Sequence, residues 1–180
     1  MAGQQGLPPP RIAQPPHAAP QPLPAQRRCA EVVLDLCVGE VVTMFANQGP
    51  QAASAALDAI GFRVGRQLVE RLTKDRPRLS DTLDIMKFIC KDFWVAVFKK
   101  QIDNLRTNHR GVYVLQDNNC RWLTKLVPFA DDEGTQRLAA SYLHLPSGII
   151  RGAVSHLGLS CSVEAEVKAL PAATFTIKLA

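Results

Sequence analysis

The chain of 180 residues lacks several features that would assign it to a familiar class. No run approaches the ~20 consecutive apolar residues that a membrane-spanning helix needs, and no short apolar run follows a basic start. We therefore expect neither an integral membrane protein nor a signal peptide. The five cysteines are widely separated and never form a C-x-x-C pair. This spacing argues against a disulfide framework or a common zinc site, and it favours a cytoplasmic, reducing environment.

The sequence motifs of enzymes are also missing. The chain has no P-loop, no G-x-G-x-x-G, no G-x-S-x-G and no H-E-x-x-H. Its four histidines never pair at helical spacing, and none has an acid or a cysteine at ligand spacing. The acidic run at 131–133 is interpreted as a solvated loop. We predict a protein that is not an enzyme and that holds no metal and no cofactor.

The net charge of +5 is unevenly distributed. Residues 1–28 hold three arginines and no acid, whereas the remaining 152 residues hold 18 basic side chains against 16 acidic ones. A domain that neutralises phosphates is expected to carry a denser basic face. The charge therefore predicts no nucleic-acid partner.

Proline marks a boundary near residue 28. Residues 1–28 contain eight of the 13 prolines and almost no large apolar side chains. Such a segment cannot bury enough surface to offset its ordering entropy, so we predict a disordered, partly polyproline-II tail. The tail is either an extension without a partner or a ligand for an aromatic-grooved adaptor domain; a transit peptide is a third reading. Residues 29–180 are predicted to form the folded domain.

Within that domain the periodicity predicts an α+β fold of order ααα-ββ-α-ββ. The expected helices are Val32–Phe45, Ser54–Leu72, Thr82–Thr107 and Pro146–Leu157, and the expected strands are Val112–Leu115, Arg121–Val127, Ser160–Lys168 and Phe175–Leu179. The strand Arg121–Val127 is taken as the hairpin partner of Val112–Leu115. We expect the helices to pack on one side of an antiparallel sheet of about four strands.

The first two helices are too apolar for elements that cover only their own domain. Ten of the 14 residues from Val32 to Phe45 are apolar, and Asp35, Gly39 and Thr43 form one narrow polar stripe. The second helix carries two glycines on its apolar side, which cost about 1 kcal/mol each relative to alanine. Close approach of another helix backbone would offset that cost. We predict a protein–protein interface formed by Val33, Leu36, Val41, Leu57, Ile60, Gly61, Val64, Gly65 and Leu68.

Several segments resemble the small α/β subunits of the transport protein particle, TRAPP. The first set is 61–65 (GFRVG), 84–88 (DIMKF) and 150–153 (IRGA). More specific are 91–98 (KDFWVAVF), 105–109 (LRTNH) and 113–118 (YVLQDN), which resemble the subunit-six branch. The resemblance covers about residues 30–180 and is strongest over 57–118. The tail lies outside it, and residues 121–142 match poorly.

The resemblance implies a non-catalytic scaffold that pairs through its N-terminal helices with a paralogous small subunit. It further implies assembly into a tethering complex that promotes nucleotide exchange on a Rab GTPase in ER-to-Golgi and intra-Golgi transport. The complex would be peripheral at cis-Golgi and endoplasmic reticulum membranes. The family's third small subunit carries an acylated cysteine, but the matching region 74–78 has none, so the resemblance does not extend to acylation. The alternative is a cytosolic small-molecule sensor with an apolar pocket between helices and sheet.

Overall fold

The computed structural model describes residues 30–46, 48–129 and 133–180, so the predicted tail 1–28 lies outside the described residues. The helices are α1 (Glu31–Ala46), α2 (Pro50–Thr73), α3 (Thr82–Phe88), a π-helical turn (Ile89–Phe93), α4 (Trp94–Phe98), a 3-10 helix (Thr124–Phe129) and α5 (Glu133–His156). The strands are β1 (Asn104–Thr107), β2 (Val112–Asp117), β3 (Cys161–Ala169) and β4 (Ala172–Leu179). Over the described residues, no helix combines the length and the apolar character needed to cross a membrane.

The four strands form one antiparallel sheet in the order β1-β2-β4-β3. Leu115 of β2 lies opposite Phe175 of β4, and Ile177 lies opposite Val163 of β3. Leu115, Phe175 and Ile177 are fully buried in one core with the helices. Alternate residues of β3 are exposed, as expected for an edge strand with one wet face. The predicted α+β fold, with helices on a four-stranded antiparallel sheet, is confirmed.

Helices α2 and α5 cross in backbone contact. A β-carbon added to Gly61 would lie 2.9 Å from the Ile149 nitrogen, and one added to Gly65 would lie 2.8 Å from the Ile149 carbonyl carbon. Both distances are below the 3.0 Å that real β-carbons respect. Gly148 and Gly152 of α5 meet the α2 backbone in the same way. The predicted close approach at the two α2 glycines is confirmed, and the approaching helix belongs to the same chain.

A buried polar cluster joins the helical layer to the sheet. The side chain of Asp117 is fully buried, and it accepts hydrogen bonds from Trp94 Nε1 at 3.0 Å and from Lys100 Nζ at 2.8 Å. The Asn119 backbone N–H also donates to it, at 3.0 Å. Because a buried carboxylate is costly unless it is paired and hydrogen-bonded, these contacts are what allow Asp117 to stay in the core.

The third predicted helix, Thr82–Thr107, is wrong in its length. The helix ends at Phe98, because Lys99 adopts a left-handed conformation with φ of 64°. Beyond this end, Lys100 Nζ lies 2.6 Å from Asp103. Gly111, a few residues after the predicted end at Thr107, lies in the β1–β2 connection.

The hairpin partner of β2 is also different from the prediction. Residues 104–107, which continue the helical spacing of apolar side chains, form β1 and pair with 113–116. The segment predicted as a strand, Arg121–Val127, forms tight turns that lead into the 3-10 helix. Its hydrogen bonds are local, from Leu123 N to Cys120 O and from Leu126 N to Leu123 O.

Helices α2 and α5 are longer than predicted. Helix α2 begins at Pro50, so Ser54, its predicted first residue, lies inside the helix, where its hydroxyl donates to Gln51 O. Helix α5 begins at Glu133 and contains Pro146, which was taken as its start. Proline removes one helical hydrogen bond in an interior position, yet the packing of α5 against α2 keeps the helix continuous. Of the acidic run at 131–133 that was predicted as a loop, Glu133 is the first residue of α5, and Asp131 and Asp132 lie outside the described residues.

Candidate protein–protein interface

Helix α1 presents an apolar face outward. It buries only Val38 and Val42, whereas Val32, Val33, Leu34, Leu36 and Met44 are exposed. Leu36 is 59% exposed and Met44 is 60% exposed. Single exposed apolar residues are ordinary, but five large ones on one helix make that helix a candidate interaction site.

The polar stripe predicted on α1 faces the domain rather than solvent over much of its length. Asp35 is half-buried and binds Arg121, which holds it with two hydrogen bonds of 2.9 Å and 3.0 Å. A third bond of 2.9 Å joins Arg121 to Glu31. The hydrogen bonding to Asp35 raises the pKa of the Arg121 guanidinium. Because Arg121 anchors the polar side of α1 to the body of the domain, the apolar side is turned outward.

An apolar groove of about 330 Å³ runs between α1 and α2. Val38 and Val41 of α1 line one wall, and Ile60, Val64 and Leu68 of α2 line the other. Its remaining lining includes Cys37, Ala96, Trp122, Leu145 and Ile149. No residue of a described strand lines it, so it lies among the helices rather than between the helices and the sheet.

The Trp122 side chain adds an unusual feature to the groove. Its indole Nε1 is buried and is the one buried side-chain polar atom without a hydrogen-bond partner among the described residues. Leaving such a donor unpaired costs about 1–3 kcal/mol. Trp122 lines the groove, while its Nε1 itself is buried.

The nine residues predicted for the interface divide into two groups. Val33, Leu36 and Val64 are exposed, and Val41, Ile60 and Leu68 are half-buried along the groove. The other three, Leu57, Gly61 and Gly65, are buried beneath the surface, and the glycines contact α5. The structure thus leaves six of the nine accessible, four of which line the groove, and it buries the other three in the core, where they are unavailable to a partner.

Sequence reasoning missed two contributors to this surface, Arg121 and Trp122. Both were placed on a strand that the structure does not contain, and their contacts with α1 and α4 span long sequence separations. The sequence did hold a signal for which helix the α2 glycines contact. Gly148 and Gly152 in α5 repeat the four-residue spacing of Gly61 and Gly65, which is the pattern expected of two helices in backbone contact.

The described residues hold no group of three or more histidine, cysteine or acidic side chains placed to bind a metal ion. The thiols of Cys90 and Cys120 are buried, which raises the pKa of each to about 12 and makes the thiolate scarce at neutral pH. Burial also lowers the pKa of the His144 imidazole. In the described contacts, none of these three side chains belongs to a pair of nucleophile and base. The features that define the candidate interface are its shape and its apolar area.

An α+β domain that leaves an apolar helix face uncovered has the features of an interaction domain, which buries that face by assembling with other chains. Its family is given by its sequence: residues 34–180 match the model of the transport protein particle (TRAPP) component family, and the chain belongs to that family. Within it, the chain falls in the subunit-six branch. Membership implies partnership with other TRAPP subunits in a vesicle-trafficking complex.

Individual relatives agree with this assignment. The chain is 54% identical over 125 residues to trafficking protein particle complex subunit 6b of Danio rerio, covering 68% of this chain and 76% of the relative. It is 43% identical over 129 residues to subunit 6A of Homo sapiens, covering 72% and 79%. Among solved structures, subunit 3 from Naegleria fowleri, covalently bound to palmitic acid, has the same fold. It aligns with a TM-score of 0.66 at 16% identity, over 82% of this chain and 93% of that one.

Proposed function

We propose that this chain is a non-catalytic scaffold subunit of the TRAPP tethering complex and pairs with a paralogous small subunit through α1 and α2. The pairing surface consists of Val33, Leu36, Val41, Ile60, Val64 and Leu68. The observation that carries the proposal is the outward apolar face of α1, which Arg121 holds in place beside the groove.

The surface has the properties that a stable interface needs. A standard interface buries about 800 Å² per partner, with an apolar core and a polar rim. Here the exposed valines and leucines supply the core, and the ion cluster of Glu31, Asp35 and Arg121 lies beside it.

In the assembly, this subunit would fix the geometry of a composite surface that promotes nucleotide exchange on a Rab GTPase, without supplying catalytic residues. The complex would work in ER-to-Golgi and intra-Golgi transport, as a cytoplasmic assembly peripheral to cis-Golgi and endoplasmic reticulum membranes. Exchange assays separate these roles: the isolated chain should leave nucleotide release unchanged, whereas the complex that contains it should accelerate release. Acceleration by the isolated chain would contradict the scaffold role.

The pairing itself is tested by Val64→Asp. Val64 is 44% exposed and lines the groove, so the isolated domain should tolerate the carboxylate. A partner would bury that charge without a counter-ion, which is strongly destabilising, so we expect co-purification with the paralogous subunit to be lost. Ala59→Asp is the matched control, because Ala59 is an exposed residue of the same helix that does not line the groove. Undiminished pairing by Val64→Asp would place the interface elsewhere.

A second candidate function is small-molecule sensing, and one observation favours it. The groove's volume and apolar lining fall within the range of ligand sites. An apolar molecule that co-purifies with the native chain and leaves on Val64→Asp, with no other TRAPP subunit present, would favour sensing over pairing.

A further inference from the structure

The positive charge of the folded domain is concentrated in one segment. Residues 63–78 carry six basic side chains against two acidic ones, whereas the rest of residues 30–180 carries 12 basic against 14 acidic. The basic residues are Arg63, Arg66, Arg71, Lys74, Arg76 and Arg78. The domain's net positive charge therefore comes from the C-terminal half of α2 and the connection after it.

Most of these six cations form no ion pair within the fold. In the described part of the chain, only Arg76 of the six has one, with Asp92 at 3.0 Å. Arg63, Arg66 and Arg78 are exposed and have no carboxylate within ion-pair distance in the part of the chain that the structure describes. Like charges without counter-ions repel one another, so the cluster slightly lowers the stability of the isolated domain. Binding of an anion would relieve this repulsion.

Two clefts run along this segment and adjoin at His156. The first, about 230 Å³, is lined by Arg63, Arg66, Gln67, Glu70 and His156. The second, about 270 Å³, is lined by residues that include Arg76, Arg78 and His156. We call the two together the basic channel. The α2 part of the channel, from Arg63 to Thr73, measures about 15 Å along the helix, which about five residues of extended peptide would span.

We propose that the basic channel binds an extended acidic peptide segment of a partner protein. A guanidinium group can form two parallel hydrogen bonds with one carboxylate. The guanidinium groups of Arg63, Arg66 and Arg78 are available for such bonds. The second cleft also offers Pro77, Leu79 and Leu157 between its charges, so it suits a segment in which apolar side chains alternate with acids. The interaction is separate from the pairing surface, because the channel and the groove have no lining residue in common.

The described surface fits a peptide better than an anionic membrane. The cations line recessed clefts, whereas a flat bilayer meets protruding side chains. The exposed large apolar side chains that could enter a bilayer, such as Val64 and Leu36, are not among the channel's lining residues. Clustered arginines in a cleft are the arrangement with which proteins recognise acidic peptide motifs.

The test uses the full chain and a fluorescein-labelled peptide, Glu-Glu-Leu-Glu-Glu-Leu-Glu-Glu, in fluorescence anisotropy at low and high salt. We expect saturable binding that weakens with salt, and at least tenfold weaker binding of the same peptide with glutamine at each glutamate. The triple variant Arg63→Ser, Arg66→Ser, Arg78→Ser should bind the acidic peptide at least tenfold more weakly. The matched triple variant Arg106→Ser, Arg110→Ser, Lys125→Ser removes the same charge from other exposed sites and should stay within twofold.

Three results would overturn the proposal. The first is equal binding of the glutamine peptide, since charge would then play no part. The second is an equal loss in both triple variants, since only net charge would then matter. The third is binding to vesicles containing 30% phosphatidylserine, lost in the channel variant, with no binding of the acidic peptide by the wild-type chain; this would assign the channel to a membrane.

Discussion

The crossing of α2 and α5 can be tested by adding a single methyl group at Gly65. In Gly65→Ala the new β-carbon would lie 2.8 Å from the Ile149 carbonyl carbon, whereas ordinary contacts begin at 3.4 Å. The Ile149 carbonyl oxygen would lie closer still, so the two backbones would have to separate by more than about 0.6 Å to restore an ordinary contact. Neither backbone can rotate away as a flexible side chain could, so the strain is expected to spread along both helices.

The net effect is a difference between two opposing contributions. Alanine favours the helix by about 1 kcal/mol over glycine. Overpacking a tight interior costs about 1–3 kcal/mol, and contact with backbone on both sides places this site at the upper end. We therefore expect a net destabilisation of about 2 kcal/mol, which lowers Tm by about 4–8 °C for a domain of this size.

Thermal and urea unfolding followed by circular dichroism measure the effect. Gly39→Ala is the matched control in α1, because its β-carbon would lie 3.3 Å from the Tyr142 hydroxyl, the far end of a flexible side chain. That variant should be neutral or stabilised by up to about 1 kcal/mol from helix propensity. If Gly65→Ala is as stable as the wild-type protein, the helices are not in backbone contact and this account of the crossing fails.

Three further predictions concern the anchor of α1, the buried acid and the thiols. Arg121→Ala should speed hydrogen exchange in α1 by at least tenfold while the sheet amides stay unchanged; equal protection would mean that the cluster does not hold α1. Asp117→Ala should cost about 3 kcal/mol or more in urea unfolding, because it leaves a buried pair broken; a loss below 1 kcal/mol would contradict this. In the folded Cys29→Ser variant at pH 8, a thiol reagent should modify Cys37, which is exposed. The same reagent should modify Cys90, whose pKa is about 12, only after the protein is unfolded. A paralogous partner should slow the labelling of Cys37, which lines the groove, and unchanged labelling in the complex would argue against pairing there.

Much of the fold was predictable because its signals are local. The apolar spacing of α1 and α2 and the alternation of β3 each lie within one segment of sequence, and each element formed near its predicted bounds. The turn at Gly158 is a similar case: its φ of 95° and the Leu159 N to Val154 O bond close α5 where the sequence placed a helix end.

The errors arose where distant contacts override local pattern. Lys99 adopts a left-handed conformation, which glycine or asparagine takes up more readily than lysine. A lysine at this position therefore did not indicate the end of α4. Beyond it, Ile102 and Leu105 keep a helical spacing, yet pairing with β2 makes residues 104–107 a strand. Residues 104–107 form a strand because the edge of β2 is available to pair with them, and a short window of sequence does not reveal that edge.

The candidate interface was predictable in part. The excess of apolar residues on α1 predicted that part of this helix would stay uncovered, and six of the nine predicted residues are exposed or half-buried. The glycines were correctly read as a mark of close approach, but sequence alone could not say whether the approaching helix was internal or external. The anchoring of Asp35 by Arg121, 86 residues later in the chain, could not be predicted from spacing.

The most direct test of the central claim is affinity purification of the tagged chain from its native cytosol, followed by quantitative mass spectrometry. The account predicts a stoichiometric set of other small TRAPP subunits, present with Ala59→Asp and lost with Val64→Asp. A wild-type chain that purifies alone, or the same set of subunits recovered with Val64→Asp, would contradict it.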